Sequence, residues 1–548
     1  MKKYLCAILF SILVFPAFPS EPVKWDAQRR ISPSIQYQSS LEQRQNVTHQ
    51  IHRIRIDLRG VDVTLEVVGS EGFPERPELP SDIMKRRKGQ VVVPASLFHK
   101  KENNRNLPLG NLRTASGVFT TGHSYPEVRL RALNYIEFNE SDDNVEKTPR
   151  IVTEQGETIS TIGMNMRPRH PGYHLFTSAF QGLKMEEMKS WGIQRYYILA
   201  PVPGSSEGNR YWVDKTGEES SDIAIQRDAC VLALVGAKQD EEAILKRLDR
   251  VTIAMPDETP GQALPGRFCG GPYFLQKGAY QEDSMRTFCE KEGAPSLSHY
   301  EQPKARLALG IRDKGRFLDI YCVDQKGTEW QGVTLREFAE FLIRDGIEDA
   351  IALPDGDAAS VILGDSRINS TPSGIEYPVF TAFCVSERAP EPGERINLMR
   401  QAPNRIAACG SGKRNSPSAI KDGSIGMTAN LDNYWEHISD DASHRHGISI
   451  DFYKSYQMAG VELFYAEEAG FSPQFNVRSV IISGGEGDKN SMNEMARVKN
   501  PEGYSHQYIP FPRNTSLRYL GIEIEQPGSY PGIQTARLAE IIVWGIVE

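Results

Sequence analysis

The chain has 548 residues, 39% of them hydrophobic, and a formal charge of −8. That length exceeds one compact domain and predicts two or three, each with an ordinary core. The negative balance excludes nucleic acid or an anionic membrane surface as the main partner, since both require a basic face.

At the start of the chain, Lys2 and Lys3 precede the uncharged run Tyr4 to Ser20, the charged and apolar regions of a secretory signal peptide. The run is shorter than the roughly 20 residues of a spanning helix, and no later segment is apolar enough. No membrane-spanning segment is therefore expected, and residues 1–20 are expected to direct the chain to a secreted or periplasmic location. Ile54 to Val68 alternates apolar and polar residues around Arg59-Gly60 and reads as a hairpin. Lys85-Arg86-Arg87-Lys88, the one compact basic run, reads as a solvated loop before the apolar run Val91 to Phe98. A turn holding Asn165, Arg167 and Arg169 leads into the strand-like Tyr173 to Thr177, and Gly270-Gly271-Pro272 forms a tight turn before a short strand.

The best-punctuated stretch is Ala305 to Ser360. Phe317 to Val323 reads as a buried strand. Thr334 and Glu337 form a capping box, after which Leu335, Phe338, Ala339, Leu342 and Ile343 recur at helical spacing until Gly346 stops the run. Ile351 to Leu353 is a second short strand that ends in Pro354-Asp355-Gly356-Asp357. If the two strands are parallel neighbours joined by that helix, the acidic turn leaves the carboxyl end of the second strand, where sites in such units usually lie.

Pro390 to Arg395 shifts towards proline and charge and reads as part of a linker over 389–403. Beyond it, Gly447 to Phe452, Gly460 to Tyr465, Phe475 to Ile482, Arg518 to Ile524 and Ala536 to Trp544 are short strands between turns, an all-β sandwich pattern over 404–548. Residues 21–388 form the larger domain before it. Cys230, Cys269, Cys289, Cys322, Cys384 and Cys409 remain after the leader, an even number compatible with disulfides in an oxidising compartment, although Cys322 and Cys384 also read as buried free thiols. None has zinc-ligand spacing.

From Gln50 to Val385 these motifs, in order, resemble the phosphodiester glycosidase family. Val91 to Phe98 is similar to its strand ending in Asn-Gly-x-Phe-Phe, and the turn of Asn165, Arg167 and Arg169 to its Asn-and-Arg turn. The segment at Gly270-Gly271-Pro272 is similar to its Gly-Gly-Pro-x-Leu. Arg306 sits in a segment like its Pro-Arg-Thr-Ala-x-Gly, and Asp324 resembles its Val-Asp-Gly. Asp355, Gly356 and Ser360 lie in a turn like its Asp-Gly-Gly-Gly-Ser-Ser, while Asn369, Ser373 and Glu376 match its closing motifs. The departures are Pro94 for Asn, Leu307 for Thr, Tyr377 for Arg, and Asp357-Ala358-Ala359 where glycines and a hydroxyl are expected. From Asn404 onward the chain resembles a discoidin-like (coagulation factor 5/8 C-type) module through segments including Asp432 to Trp435, Ile448 to Phe452 and Arg518-Tyr519-Leu520.

The resemblance implies an α+β domain of mixed sheets followed by an all-β sandwich. It implies a secreted hydrolase that cleaves the glycosidic bond of sugar 1-phosphodiesters, with a C-terminal module that binds glycan or a surface. Asp355 suits a base or nucleophile at the anomeric carbon, Arg306 a clamp on the phosphate, and Asp357 a shared catalytic role. Asn165, Arg167, Arg169, Gly356, Ser360, Asn369, Ser373, Glu376 and Asp324 are implied substrate contacts. No cofactor is called for, although two adjacent carboxylates admit a divalent cation. Each residue also has a plainer reading. Asp355-Gly356 is a common turn dipeptide, Arg306 suits a structural ion pair, Asn165 and Arg167 suit a turn, Asp324 suits a strand cap, and Trp435 suits a sandwich core. The rival function is accordingly a non-catalytic glycan-binding protein on a degenerate glycosidase scaffold. Oligomeric state is not legible.

Overall fold

The structure, a computed structural model, describes residues 21–547 except 45, 61, 99–106, 115–116, 121–124, 131–135, 140–147, 155, 169, 178–179, 181, 203–209, 218–221, 227–228, 237–249, 255–265, 292, 314, 389–391, 394, 410–416, 422–433, 439–445, 489–490 and 530–534. The leader, Arg169, most of the loop after Asn139 and Asp432-Asn433 therefore lie outside the described residues.

Eight strands make the sheet that carries the acidic turn. Their spatial order is Arg29–Arg30, Ile35–Arg44, Val47–Asp57, Phe317–Val323, Arg306–Arg312, Asp349–Ala352, Tyr273–Gln276 and Ala279–Tyr280. Every pairing in it is antiparallel. Asn46, with φ 67°, supplies the left-handed residue of the turn into Val47–Asp57. Phe317–Val323 and Asp349–Ala352 run in the same direction, as the helix between them requires, but they are not neighbours: Arg306–Arg312 lies between them and is antiparallel to both. Ile54 to Val68 is not a hairpin either. Val47–Asp57 stays in this sheet, whereas Val63–Gly69 joins a second sheet by pairing with Thr381–Glu387.

The second sheet holds Val63–Gly69, Thr381–Glu387, Val91–Pro94, Ile362–Leu363 and Ser366–Arg367. Alternate side chains of the two sheets meet in one apolar core, with Ile54, Ile56, Leu307, Leu309 and Ile351 from the first and Leu65, Val67, Val91, Val93 and Phe383 from the second. The opposite face of the large sheet is covered by Glu282–Glu290, Leu297–Glu301 and Leu335–Arg344, whose Met285, Phe288, Tyr300, Phe338, Phe341 and Leu342 pack on Ala308, Tyr321 and Val323. The Thr334 box is formed: its hydroxyl accepts from Glu337 N–H, and the Glu337 carboxylate accepts from Thr334 N–H. The basic run at residue 85 is the last turn of helix Pro80–Arg87, where Arg86 pairs with Glu78 and Arg87 with Glu66.

Between these sheets in sequence, residues 150–254 close into a seven-stranded barrel. The C-terminal residues form a sandwich whose two layers share the 20-residue strand His446–Tyr465. This strand has an irregularity between Asp451 and Tyr456, with Tyr453 at φ 62°, and passes from one layer to the other between Gln457 and Met458. Arg395–Asn397 pairs with Trp544 to Ile546, and Leu398, Met399 and Trp435 are buried in the sandwich core. Gln401 and Arg400 reach back to Asp62 and the Arg59 carbonyl of the larger unit.

The expected α+β class is overturned, because the chain is mostly β, with 52% strand against 14% helix. That class came with the family resemblance. The helices are few and short, with Glu282–Glu290, Leu297–Glu301 and Leu335–Arg344 on one face of the large sheet and Pro80–Arg87 packed on the second sheet through Ile83 and Met84. The six cysteines are free thiols. Burial pushes Cys289 up to about 11 and Cys384 up to about 12, so little reactive thiolate forms. Among the described residues no helix is long and apolar enough to cross a membrane.

Candidate functional site

Antiparallel pairing brings the end of one strand beside the start of its neighbour. Leu353 N–H donates to Leu307 C=O at 2.9 Å and Gly356 N–H to Ala305 C=O at 2.9 Å, so Asp355 emerges beside Arg306. On the other side of Arg306–Arg312, Arg306 faces Val323, which places Asp324 at the same end of the sheet. The backbone of Gly270-Gly271 closes against Ala352. A Cβ at Gly270 would stand 2.6 Å from Leu353 Cδ2 and 2.8 Å from Ala352 O, so only glycine allows this approach.

Asp355 is held by two cations or donors. Arg306 pairs with its Oδ2, and His299 Nε2 lies 2.9 Å from both carboxylate oxygens. Lys304 Nζ donates to His299 Nδ1 at 2.8 Å, which leaves Nε2 as the nitrogen that carries hydrogen towards Asp355. The chain Lys304–His299–Asp355–Arg306 thus has one consistent set of donors and acceptors. His299 sits on the short helix Leu297–Glu301, anchored by its neighbour Tyr300, which is buried against Phe288 and Arg306. Burial, with the Asp355 charge beside it, holds the Tyr300 phenol well above its usual range, so it stays neutral.

Arg306 is spent within the protein. It is 1% exposed, its Nε donates to Val333 C=O at 3.0 Å, and one terminal nitrogen donates to the carbonyls of His299, Tyr300 and Gln302 at 3.2, 3.1 and 2.6 Å. Burial pulls its guanidinium down from the usual range and Asp355 pulls it partly back. In this arrangement Arg306 orients Asp355, and its fork faces carbonyls where a phosphate clamp would need open donors. Gly332, at φ 73°, lets the loop lie against Lys304, since a Cβ there would meet that backbone at 2.4 Å.

A second cluster lies at the same end of the sheet. Asp324 accepts from His52 Nε2 at 3.1 Å and from Ser370 N–H at 3.0 Å, and Tyr37 O–H meets His52 Nδ1 at 2.8 Å. Asn369 braces the turn, its Oδ1 accepting from Val361 N–H at 2.9 Å and its Nδ2 donating to Ala359 C=O at 2.6 Å. Asp357 accepts from Ser373 N–H at 2.7 Å, and Glu376 from Ser81 N–H at 2.5 Å. Gly356 takes φ 62° with open space around it, and Ser360 is fully buried.

Asn165 belongs to the barrel. It is buried at φ 51°, and its side chain brackets Thr177 with two 2.8 Å bonds. Arg167 follows on the same turn. The sequence placed Asp355, Gly356, Asp357, Ser360, Asn369, Ser373 and Arg306 together, and the structure brings these to one end of the sheet. It leaves Asn165 and Arg167 on the barrel. His299 and Lys304 were missed. Their only sequence signal is that they stand seven and two residues before Arg306, and nothing in the residue pattern shows that this segment folds back over Asp355. Among the described residues no group of three or more His, Cys, Asp or Glu is placed to hold a metal ion.

A family model for phosphodiester glycosidase matches residues 206–386, which include His299, Lys304, Arg306, Asp324 and Asp355. No curated protein matches the chain. A hypothetical protein from Synechocystis is similar in structure, with TM-score 0.51 and 16% identity over 67% of this chain and 64% of that one. The chain thus spans just under two thirds of that neighbour, and the likeness bears on the fold alone. The zebrafish N-acetylglucosamine-1-phosphodiester α-N-acetylglucosaminidase catalytic domain, auto-inhibited by its pro-peptide, aligns at TM-score 0.36 with 15% identity, covering 67% of this chain and 88% of that one. A family 32 CBM from Clostridium perfringens NanJ, in complex with galactose, aligns at TM-score 0.21 with 13% identity over 26% of this chain and 93% of that one.

Proposed function

We propose that the protein is an exported hydrolase that cleaves sugar 1-phosphodiesters between the anomeric carbon and the phosphate oxygen. The observation that carries this reading is the Asp355 carboxylate, oriented by His299 and Arg306 at the end of the sheet, with its side chain 14% exposed, inside the segment that matches the phosphodiester glycosidase model. The leaving phosphate needs little protonation, so the demand falls on a carboxylate that meets the oxocarbenium-like carbon and on positive charge beside the departing oxygen.

Asp355 supplies the carboxylate. It takes a proton from water as the water oxygen bonds to the anomeric carbon, and the phosphate monoester leaves with the bonding electron pair. Arg306 and His299 hold the carboxylate in place. Lys304, partly exposed and hydrogen-bonded to His299, is the cation best situated for the phosphate, the task that the buried Arg306 cannot perform directly. Asp324, Asn369 and Asp357 shape the floor and rim. The C-terminal sandwich, read as a discoidin-like module that takes in Arg395–Met399 as well as 404–548, holds the enzyme to glycan or a surface.

The sealed guanidinium of Arg306 favours one other reading, a non-catalytic glycan-binding protein on this scaffold. Incubation of the pure protein with a panel of sugar 1-phosphodiesters, followed by NMR, separates the two. Free sugar released by the wild type and not by Asp355→Asn supports the hydrolase. Glycan binding without release from any member of the panel supports the rival.

A further inference from the structure

The loop that closes on the acidic turn carries two large apolar side chains in the open. Ile375 is 66% exposed and Tyr377 51%, which makes this three-residue span the densest pair among the exposed large hydrophobics of the described residues. Exposure of this kind on a slack loop would mean little. Here three hydrogen bonds tie the loop to Asp357, Arg367 and Ser81, and two more brace it internally. Ser373 N–H donates to Asp357 at 2.7 Å, Ile375 N–H to Ser373 Oγ at 3.4 Å, Thr371 Oγ1 to Ile375 C=O at 3.1 Å, Arg367 to Gly374 C=O at 2.6 Å, and Ser81 N–H to Glu376 at 2.5 Å. Glu376 turns in to accept from Ser81 N–H, while Ile375 and Tyr377 on either side of it face solvent.

We propose that Ile375 and Tyr377 form an apolar lip that receives the leaving-alcohol end of the substrate, and that the preferred substrates are sugar 1-phosphodiesters of an apolar alcohol. This rests on the hydrolase reading for the location of the reacting bond. The carboxylates Asp355 and Asp357 and the ammonium of Lys304 serve the sugar carbon and the phosphate. A sugar ring needs hydrogen-bonding partners along its edge, and the lip offers none from Ile375 and one hydroxyl from Tyr377. An alkyl or aromatic arm beyond the phosphate is what such a surface stabilises, and the fixed loop loses little entropy in receiving it.

The test compares binding of hexyl phosphate and methyl phosphate to the full chain by titration calorimetry, in the wild type and in a variant carrying both Ile375→Ser and Tyr377→Ser. Each buried methylene contributes about 0.8 kcal/mol, so even partial burial of the hexyl chain gives a preference of about tenfold or more. The proposal predicts that preference in the wild type and its collapse in the variant. Equal or undetectable binding of the two phosphates by the wild type overturns it, as does a preference that survives in the variant. A retained lip-dependent preference with no hydrolysis of any sugar 1-phosphodiester removes the hydrolase reading and leaves the lip as a recognition site for alkyl phosphates.

Discussion

At the scale of single residues, the site depends on one buried ion pair. Arg306 and Asp355 have side chains only 2% and 14% exposed, so removing either partner strands a charge. Arg306→Ala is expected to lower stability by about 3–5 kcal/mol, visible as a fall in Tm. Asp355→Asn keeps the shape but leaves the buried guanidinium without its counter-charge, so it is expected to lose turnover and to lower Tm as well, by less than Arg306→Ala because the carbonyls around Arg306 still hold it. An Arg306→Ala protein that melts with the wild type contradicts the pairing described here. The pairing itself was partly legible: the motifs singled out Asp355 and Arg306 as candidates, and a structural ion pair was already the plain reading of Arg306. His299 and Lys304 were not legible, because their role arises from a short helix folding back over the strand end, and Tyr300, which anchors it, is an ordinary core aromatic by sequence.

At the scale of elements, the position of Asp355 depends on how closely backbones approach one another. Gly270→Ala would drive a methyl group into Leu353 and the Ala352 carbonyl, so it is expected to cost about 1–3 kcal/mol and to displace the turn that carries Asp355. Thr334→Ala removes one side of the capping box and is expected to cost about 1 kcal/mol, with the helix otherwise retained. Chemical denaturation of the two variants, set beside activity, distinguishes them: the glycine change lowers both quantities and the cap change mainly stability. Local punctuation showed the helix at Leu335–Arg344 well, since caps and stops are short-range signals. The order of strands was not legible. Pairing between Val47–Asp57 and Phe317–Val323 joins residues more than 250 apart in the sequence, and nothing local distinguishes that from a hairpin at Arg59-Gly60.

At the scale of the whole molecule, the two units differ in what titrates inside them. Glu462 lies in the sandwich core, where it accepts from Trp544 Nε1 at 3.1 Å, and burial raises its carboxyl from 4.5 to about 7. The folded state therefore holds a proton that the unfolded chain has already released between those values, and stability falls as pH rises through this window. The loss is on the order of 3 kcal/mol once the pH exceeds about 7. Thermal melts from pH 4.5 to 8 are expected to show a decline that Glu462→Gln removes; a decline of the same size in that variant rules out Glu462 as its source. The all-β character of the molecule was only half visible. The sandwich showed through its short strands and turns, but the barrel over 150–254 did not, because its closure joins Arg150–Thr153 to Arg250–Ala254 at opposite ends of the segment.

The claim that the reaction breaks the bond at the anomeric carbon is tested most directly by hydrolysis in heavy-oxygen water. The substrate is the hexyl phosphodiester of a sugar, and the mass of the released hexyl phosphate is the readout. Attack at carbon, with Asp355 taking the proton from water, predicts unlabelled hexyl phosphate from the wild type and no release from Asp355→Asn. Heavy oxygen in the hexyl phosphate would show attack at phosphorus and contradict the account.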